Sequence, residues 1–368
     1  MPAQQEWNTE PVPESSATPL ITEVLHRPAR IDHAIMRWRA GRARDAGYRA
    51  SVIPYTGYGS TQWIRVLGRA LLSKDPEGRT RSGEPAGARG WRSFTSVPVE
   101  KAEVRVDVAG TSHTVTADRS GIIDAVVDVE LTPGWHTVGL SSEGSAVVEA
   151  QMFIVDPDSR FGVVSDIDDT VMVTALPRPM LAAWHTFVVN EHARSATPGM
   201  PVLYERLSDA YPRSPLIYLS TGAWNVAPTL TRFLSRNLYP SGTLLLTDWG
   251  PTADRWFRSG QLHKKTSLER LAREFPDIKW LLIGDDGQHD PQIYSAFAAA
   301  HPDNVTAVCI RQLSPGEAVL AGSTRRPHEG PDGDSPVPWV YAFDGAGLSE
   351  ELDRLGLLKR EPQQPEVS

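Results

Sequence analysis

Acidic residues gather in two short stretches of this sequence, in an arrangement suited to chemistry on charged groups. Asp166-Ile-Asp168-Asp169-Thr170 follows the apolar run 162–165, so Asp166 and Asp168, two residues apart, can point into one site from a strand-to-loop turn. Such a pair can divide its roles. One carboxylate, ionised, attacks phosphorus and holds a metal, while the other, kept partly protonated, gives a proton to the leaving oxygen. A calcium loop is the competing reading, but it needs Gly at its sixth position and Glu at its twelfth, where this chain has Val171 and Pro177. The second stretch is Gly284-Asp285-Asp286-Gly287-Gln288-His289-Asp290, after the apolar run 280–283. So many carboxylates at one sheet edge repel unless a cation neutralises them. An oxygen donor set without cysteine favours Mg²⁺ over zinc, and His289 alone makes no transition-metal site.

Two further stretches offer complementary groups. Ser220-Thr221-Gly222 follows the run 215–219 and precedes a helical pattern. A hydroxyl and free backbone N–H groups in that position can hold phosphate oxygens, although Ser and Thr are also the commonest helix caps. Gln261-Leu-His263-Lys264-Lys265-Thr266 reads as the opening of a helix over 264–274. A lysine at a helix N-terminus stands against the dipole, so an anionic partner would account for it; a solvated surface lysine is the alternative. Asp248, in Thr247-Asp248-Trp249-Gly250, is equally a site residue or a turn cap.

These stretches need a frame to bring them together. Strand-length apolar runs at 162–165, 216–219, 243–246, 280–283 and 305–310 alternate with helical patterns at about 201–211, 226–238, 264–274 and 291–300. That alternation predicts a parallel sheet with helices on both faces, whose ligands bind beyond the carboxyl ends of the strands. Upstream, alternating runs at 63–67, 102–108, 122–129 and 146–155, separated by turn signals, predict a small all-β, sandwich-like domain. The expected organisation is a disordered tail over 1–20, a basic helical segment over 21–49, a β-rich domain over 50–156, an α/β catalytic domain over 160–322, and a loop, short helix and tail over 323–368. The segment 171–214 is too short for a large cap, so an open site is expected.

Composition narrows the class. A net charge of -8 argues against binding nucleic acid through bulk charge. The single cysteine, Cys309, lies in an apolar run and excludes a disulfide framework. No apolar run is long enough to span a bilayer and the first residues lack a signal-peptide pattern, so a cytoplasmic protein is expected. Against the acidic background, Arg30, Arg37, Arg39, Arg42 and Arg44 sit on a helical pattern with Ile31, Ala34, Ile35 and Trp38. This segment either guides the chain to anionic membranes or docks its apolar positions on the β-rich domain.

Taken together, the four stretches resemble the four motifs of the haloacid dehalogenase (HAD) superfamily. More narrowly, residues about 50–320 resemble the actin-patch phosphatidate phosphatase family. The resemblance is carried by Ser165-Asp-Ile-Asp-Asp-Thr-Val171, Trp224-Asn225, Asp248-Trp249-Gly250, His263-Lys264 and Gly284-Asp285 through Asp290-Pro291; Gly134-Trp135-His136 lies in the β-rich part. It implies a HAD-like Rossmannoid sheet and Mg²⁺-dependent hydrolysis of a phosphomonoester, with phosphatidate or a related lipid phosphate as substrate. A soluble or protein-bound phosphomonoester is the alternative substrate, and a non-catalytic binding protein the alternative class. The roles implied are Asp166 as nucleophile, Asp168 as acid and base, Lys264 as the positive charge, and Ser220, Thr221 and Gly222 as the phosphate-binding turn. The metal ligands implied are Asp166, Asp168, Asp285 and Asp290. The chain departs from the family at Gly222-Ala223, where Ser-Pro is usual, and at Asp286, where Ser is frequent. Asp286 therefore competes with Asp290 as a ligand.

Overall fold

The computed structural model describes residues 38–73, 97–173, 195–247, 253–287, 289–314, 317 and 335–358. Strands β1 (Arg49–Ser60), β2 (Trp63–Ser73), β3 (Glu103–Val108), β4 (Thr111–Thr116), β5 (Ile122–Asp128), β6 (Gly134–Ser142) and β7 (Val148–Ile154) form one sheet, in the order β4-β3-β6-β7-β1-β2-β5. The two end strands, β4 and β5, touch, so the sheet is a nearly closed barrel rather than the expected two-layered sandwich. Strands of twelve and eleven residues, β1 and β2, give the sheet the length to twist and curl upon itself. Their inward residues, with Val104, Val106, Val138, Leu140 and Met152, fill its interior.

The second unit alternates strand and helix. Strands β8 (Phe161–Ser165), β9 (Leu216–Ala223), β10 (Thr243–Thr247), β11 (Lys279–Asp285), β12 (Val305–Arg311) and β13 (Trp339–Ala342) make a wholly parallel sheet ordered β10-β9-β8-β11-β12-β13. Every residue of β8 and β10 is buried, as strands covered on both faces require. The helices are α1 (Met200–Ala210), α2 (Ala227–Arg236), α3 (Ala253–Glu274), α4 (Asp290–Ala300) and α5 (Gly345–Arg354). Helix α1 packs with α5, and α3 packs with α4. From β8 the chain steps outward to β9 and β10, then returns to β11 on the other side of β8. The carboxyl ends of β8 and β11 therefore flank the point where the winding reverses, the place where sheets of this kind bind ligands. Cys309 lies midway along β12, between Ile283 and Val340, and is fully buried.

The two units share a core. Tyr55 and Tyr58 of β1 belong to the cluster built around the parallel sheet, as do Leu67 and Ile122. Residues three apart on a regular strand face opposite ways. An irregularity in the β1–β2 register between Tyr55 and Tyr58 brings both rings to the same side.

Residues 38–45 are helical, and Ala40 and Ala43 pack against the barrel core. Trp38, which the docking alternative would bury, is 62% exposed, with the Arg42 guanidinium 5.1 Å over its ring. Arg30, Ile31, Ala34, Ile35 and Arg37 lie outside the described residues. Among the described residues no helix is long and apolar enough to cross a membrane.

Candidate active site

Asp166 is the first residue beyond β8, and its N–H donates to the Ile283 carbonyl of the neighbouring β11 at 2.8 Å. That ladder bond brings the ends of the two acidic stretches together. Asp285 closes β11, and Asp290 begins α4 after a four-residue excursion from β11. Gly284 makes this return possible, because a Cβ there would lie 2.6 Å from Asp290 Oδ2. Asp166, Asp285 and Asp290 are all buried, and each can offer a carboxylate oxygen within 4.8 Å of the others.

Lys264 enters this group from α3. Its Nζ lies 2.7 Å from Asp166 Oδ1 and 2.5 Å from Asp290 Oδ1, and its side chain is 4% exposed. Burial by itself would lower the lysine's pKa, but attraction to Asp166 and Asp290 prevails and holds it above the ordinary value. Burial drives the Asp166 carboxyl well above the ordinary carboxylate range, with Asp290 and Asp168 adding repulsion and Lys264 pulling it back. Asp285 is raised in the same way, by burial first and then by Asp290 and Asp166. Asp166 Oδ2, Asp285 Oδ2 and Asp290 Oδ2 are buried without a hydrogen-bond partner. Buried acceptors left unsatisfied are rare, and three on adjoining carboxylates fit a hard cation with oxygen ligands.

The lysine's setting differs from the expectation. Helix α3 begins at Ala253, so Lys264 stands near its middle and the dipole argument does not apply. Gly260, Lys264, Ser267, Leu268 and Leu271 form the buried stripe of the helix at its natural spacing. Lys265 is exposed and lies outside the site. His263 Nε2 donates to the Leu245 carbonyl at 3.3 Å, and burial brings its pKa down to about 4.

Asp168 is placed apart from the three carboxylates. Its Oδ2 accepts a hydrogen bond from Ser220 Oγ at 3.0 Å, so as an expected metal ligand its side chain lies outside the group. Ser220 Oγ also accepts from the Gly222 N–H at 2.9 Å. The expected turn at 220–222 is the bulged end of β9, whose register against β10 slips between Leu219 and Ala223. This bulged turn over 220–224 is held by Thr247 Oγ1, which donates to the Thr221 carbonyl at 3.0 Å and lies 3.2 Å from that of Gly222. Gly260 lets α3 approach this turn, since a Cβ there would meet Thr221 Cγ2 at 2.9 Å. Asp286 turns away: its Oδ1 accepts from the Leu313 N–H at 2.8 Å, and Asp290 takes the place beside Asp285. Asp248 and Gln288 lie outside the described residues.

Arg311, at the end of β12, went unnoticed in the sequence. It is buried and donates to the Asp169 carbonyl at 2.7 Å, to Glu317 Oε1 at 2.6 Å and to the Phe343 carbonyl at 3.2 Å. Asp169 has φ 57, a left-handed conformation uncommon for a residue with a side chain. The guanidinium thus fixes the loop that carries Asp166 and Asp168. A charged residue ending an otherwise apolar strand run was the available signal.

Comparison with known proteins gives this geometry a relation. Residues 161–312 match the family described as the phosphatidate phosphatase APP1 catalytic domain. Phosphatidate phosphatase APP1 of Saccharomyces cerevisiae is 24% identical over 219 residues, 58% of this chain and 37% of that protein. An uncharacterised protein of Schizosaccharomyces pombe is 25% identical over 214 residues, 57% of this chain and 35% of its own length. The chain thus matches little more than a third of the length of these relatives. A carbohydrate acetylesterase from Xanthomonas citri aligns with 72% of this chain and 68% of its own at 9% identity and a TM-score of 0.27, too low to bear on fold or function. Residues 161–312 of the chain are thus similar to the phosphatidate phosphatase APP1 catalytic domain.

Proposed function

We infer that the chain is a Mg²⁺-dependent, HAD-like phosphatase that hydrolyses phosphatidate or a related lipid phosphate through an aspartyl-phosphate on Asp166. The observation that carries this reading is the buried ammonium of Lys264 between Asp166 and Asp290, beside three carboxylate oxygens without partners. Asp166, Asp285 and Asp290 would hold the cation. A bound Mg²⁺ supplies positive charge against the phosphoryl oxygens. The likeness to phosphatidate phosphatase APP1 supports the lipid phosphate as substrate. The lipid would be met at the surface of a membrane by a cytoplasmic enzyme.

In the first step an Asp166 oxygen forms a bond to phosphorus as the bond to the leaving alcohol breaks, and Asp168 gives that alcohol its proton. Lys264 offsets the charge that spreads over the phosphoryl group. Ser220 and the backbone of Thr221 and Gly222 orient the phosphate. In the second step Asp168 takes a proton from water, the water oxygen attacks phosphorus, and inorganic phosphate leaves with Asp166 restored. Ser220, bonded to Asp168, keeps that carboxyl aimed at the reacting oxygen.

The test is a panel of phosphatidate in mixed micelles and soluble phosphomonoesters, each with Mg²⁺ and with excess chelator. The reading requires metal-dependent turnover with preference for the lipid, lost in Asp166→Asn. Preference for a soluble ester would keep the phosphatase and change its substrate. Full turnover in chelator, or in Asp166→Asn, would overturn the mechanism.

A further inference from the structure

Two contacts run from the barrel into the elements that would handle phosphate. Tyr55 of β1 is buried, and its hydroxyl donates to the Trp224 carbonyl at 3.0 Å. Its ring stacks on the Trp224 indole, with centroids 4.8 Å apart and planes inclined by 13°. Trp224 is itself buried and follows directly on β9, closing the bulged turn that starts at Ser220. The turn is therefore gripped from two sides, by Thr247 on β10 and by Tyr55 on the barrel. The second contact lies at the far end of α3. Tyr58 donates to Glu274 Oε2 at 2.7 Å, and Arg65 of β2 lies 2.5 Å from Glu274 Oε1 and 2.5 Å from Asp124 of β5. Arg270 of α3 reaches the same Asp124 at 2.9 Å. Helix α3 also carries Lys264 and, at Gly260, abuts Thr221.

We propose that the barrel is a structural part of the phosphate site, and that Tyr55 is a positioning residue which holds the Ser220–Trp224 turn in register with Asp168 and Lys264. The proposal rests on the reading of Ser220, Thr221 and Gly222 as the phosphate-binding turn. It gives the irregularity in β1 a purpose. Without it, Tyr58 would face away from Tyr55, and the barrel would lose either its hold on the turn or its hold on α3. Tyr55 touches no reacting atom. Its effect passes through the Trp224 carbonyl and ring, so it should change how well the turn meets phosphate more than how fast the bond breaks.

The experiment uses the full chain with Tyr55→Phe, which keeps the ring and removes the hydroxyl, and Tyr55→Leu, which removes both contacts. Val106→Ala is the control: Val106 is buried in the barrel core, in a cluster that contains neither Tyr55 nor Trp224. Two readouts are taken. One is KM and kcat for p-nitrophenyl phosphate with Mg²⁺. The other is amide hydrogen exchange over residues 216–227 without substrate. In Tyr55→Phe the loss of one buried hydrogen bond should raise KM and speed exchange in the turn by about five- to tenfold, with kcat within about twofold. Tyr55→Leu should do more of both, and Val106→Ala neither. Unchanged KM and exchange in Tyr55→Phe, or the same rise in Val106→Ala, would overturn the proposal. If Tyr55→Leu does not fold, Tyr55→Phe decides. If the wild-type chain hydrolyses no phosphate ester, the failure belongs to the enzymatic reading, and exchange alone decides the role of Tyr55.

Discussion

Replacing Lys264 by Met keeps most of the side chain's apolar length and removes its charge from between Asp166 and Asp290. The two contacts, at 2.7 and 2.5 Å, are each worth roughly 6 kcal/mol at an effective dielectric near 20. Desolvation of the ions offsets several kcal/mol of this, so the loss of one partner from a buried ion group should cost about 3–5 kcal/mol. Lys264→Met should therefore lower the free energy of unfolding by about that amount in excess chelator. Asp166→Asn should move stability the other way. Burial raises the Asp166 pKa in the folded chain, so its ionised form destabilises the fold at neutral pH, and an amide removes that burden while Lys264 keeps Asp290. Both variants should lose turnover, yet urea unfolding in chelator should place Lys264→Met well below wild type and Asp166→Asn at or above it. Added Mg²⁺ should restore much of the stability of Lys264→Met, because a cation at the carboxylates replaces the missing charge. Equal unfolding midpoints for Lys264→Met and wild type in chelator would refute the reasoning. So would a loss in Asp166→Asn as large as in Lys264→Met.

Arg311→Lys leaves a charge but cannot reach Asp169, Glu317 and the Phe343 carbonyl at once, so kcat/KM should fall at least about tenfold in steady-state assays. Asp286→Ser should keep the Mg²⁺ requirement and stay within about threefold of wild type, whereas Asp290→Ser should lose about a hundredfold or more, a contrast read by metal titration of activity. His263 has its pKa lowered to about 4 by burial, so its contribution is complete above the unfolded value and is lost as pH falls toward 4. Between pH 6.5 and 5 this should remove about 1–2 kcal/mol, and thermal unfolding of His263→Gln should lack that part of the pH dependence.

The acidic stretches and the parallel strands were readable because each fully covered strand is an uninterrupted apolar run, with Asp166 just after β8 and Asp285 at the end of β11. Strand β1 escaped notice: Pro54, Gly57 and Gly59 interrupt it, and its irregular register destroys the alternation that marks a strand. Strand β4 is polar nearly throughout, and Pro133-Gly134 reads as a turn although β6 starts at that glycine. Strand β13 is four residues long, too few for a period to be seen. The start of α3 was set too late because its apolar stripe includes a glycine and a lysine. Lys264 meets Asp166 from the middle of α3, a position that helical periodicity alone does not mark. Arg311 and Tyr55 act on residues 142 and 169 positions away, and no local pattern announces such pairs.

The lone cysteine provides an internal clock for this molecule. Cys309 sits in the middle of β12 with no exposure, and burial pushes its thiol pKa up, so the folded chain should resist thiol reagents. Modification then waits for the parallel sheet to open, and the labelling rate reports the frequency of that opening without any introduced probe. Because Cys309 pairs with Ile283, two residues before Asp285, the clock times motion next to the carboxylates themselves. A cation that closes over those carboxylates should slow the labelling, in a measurement that needs no substrate.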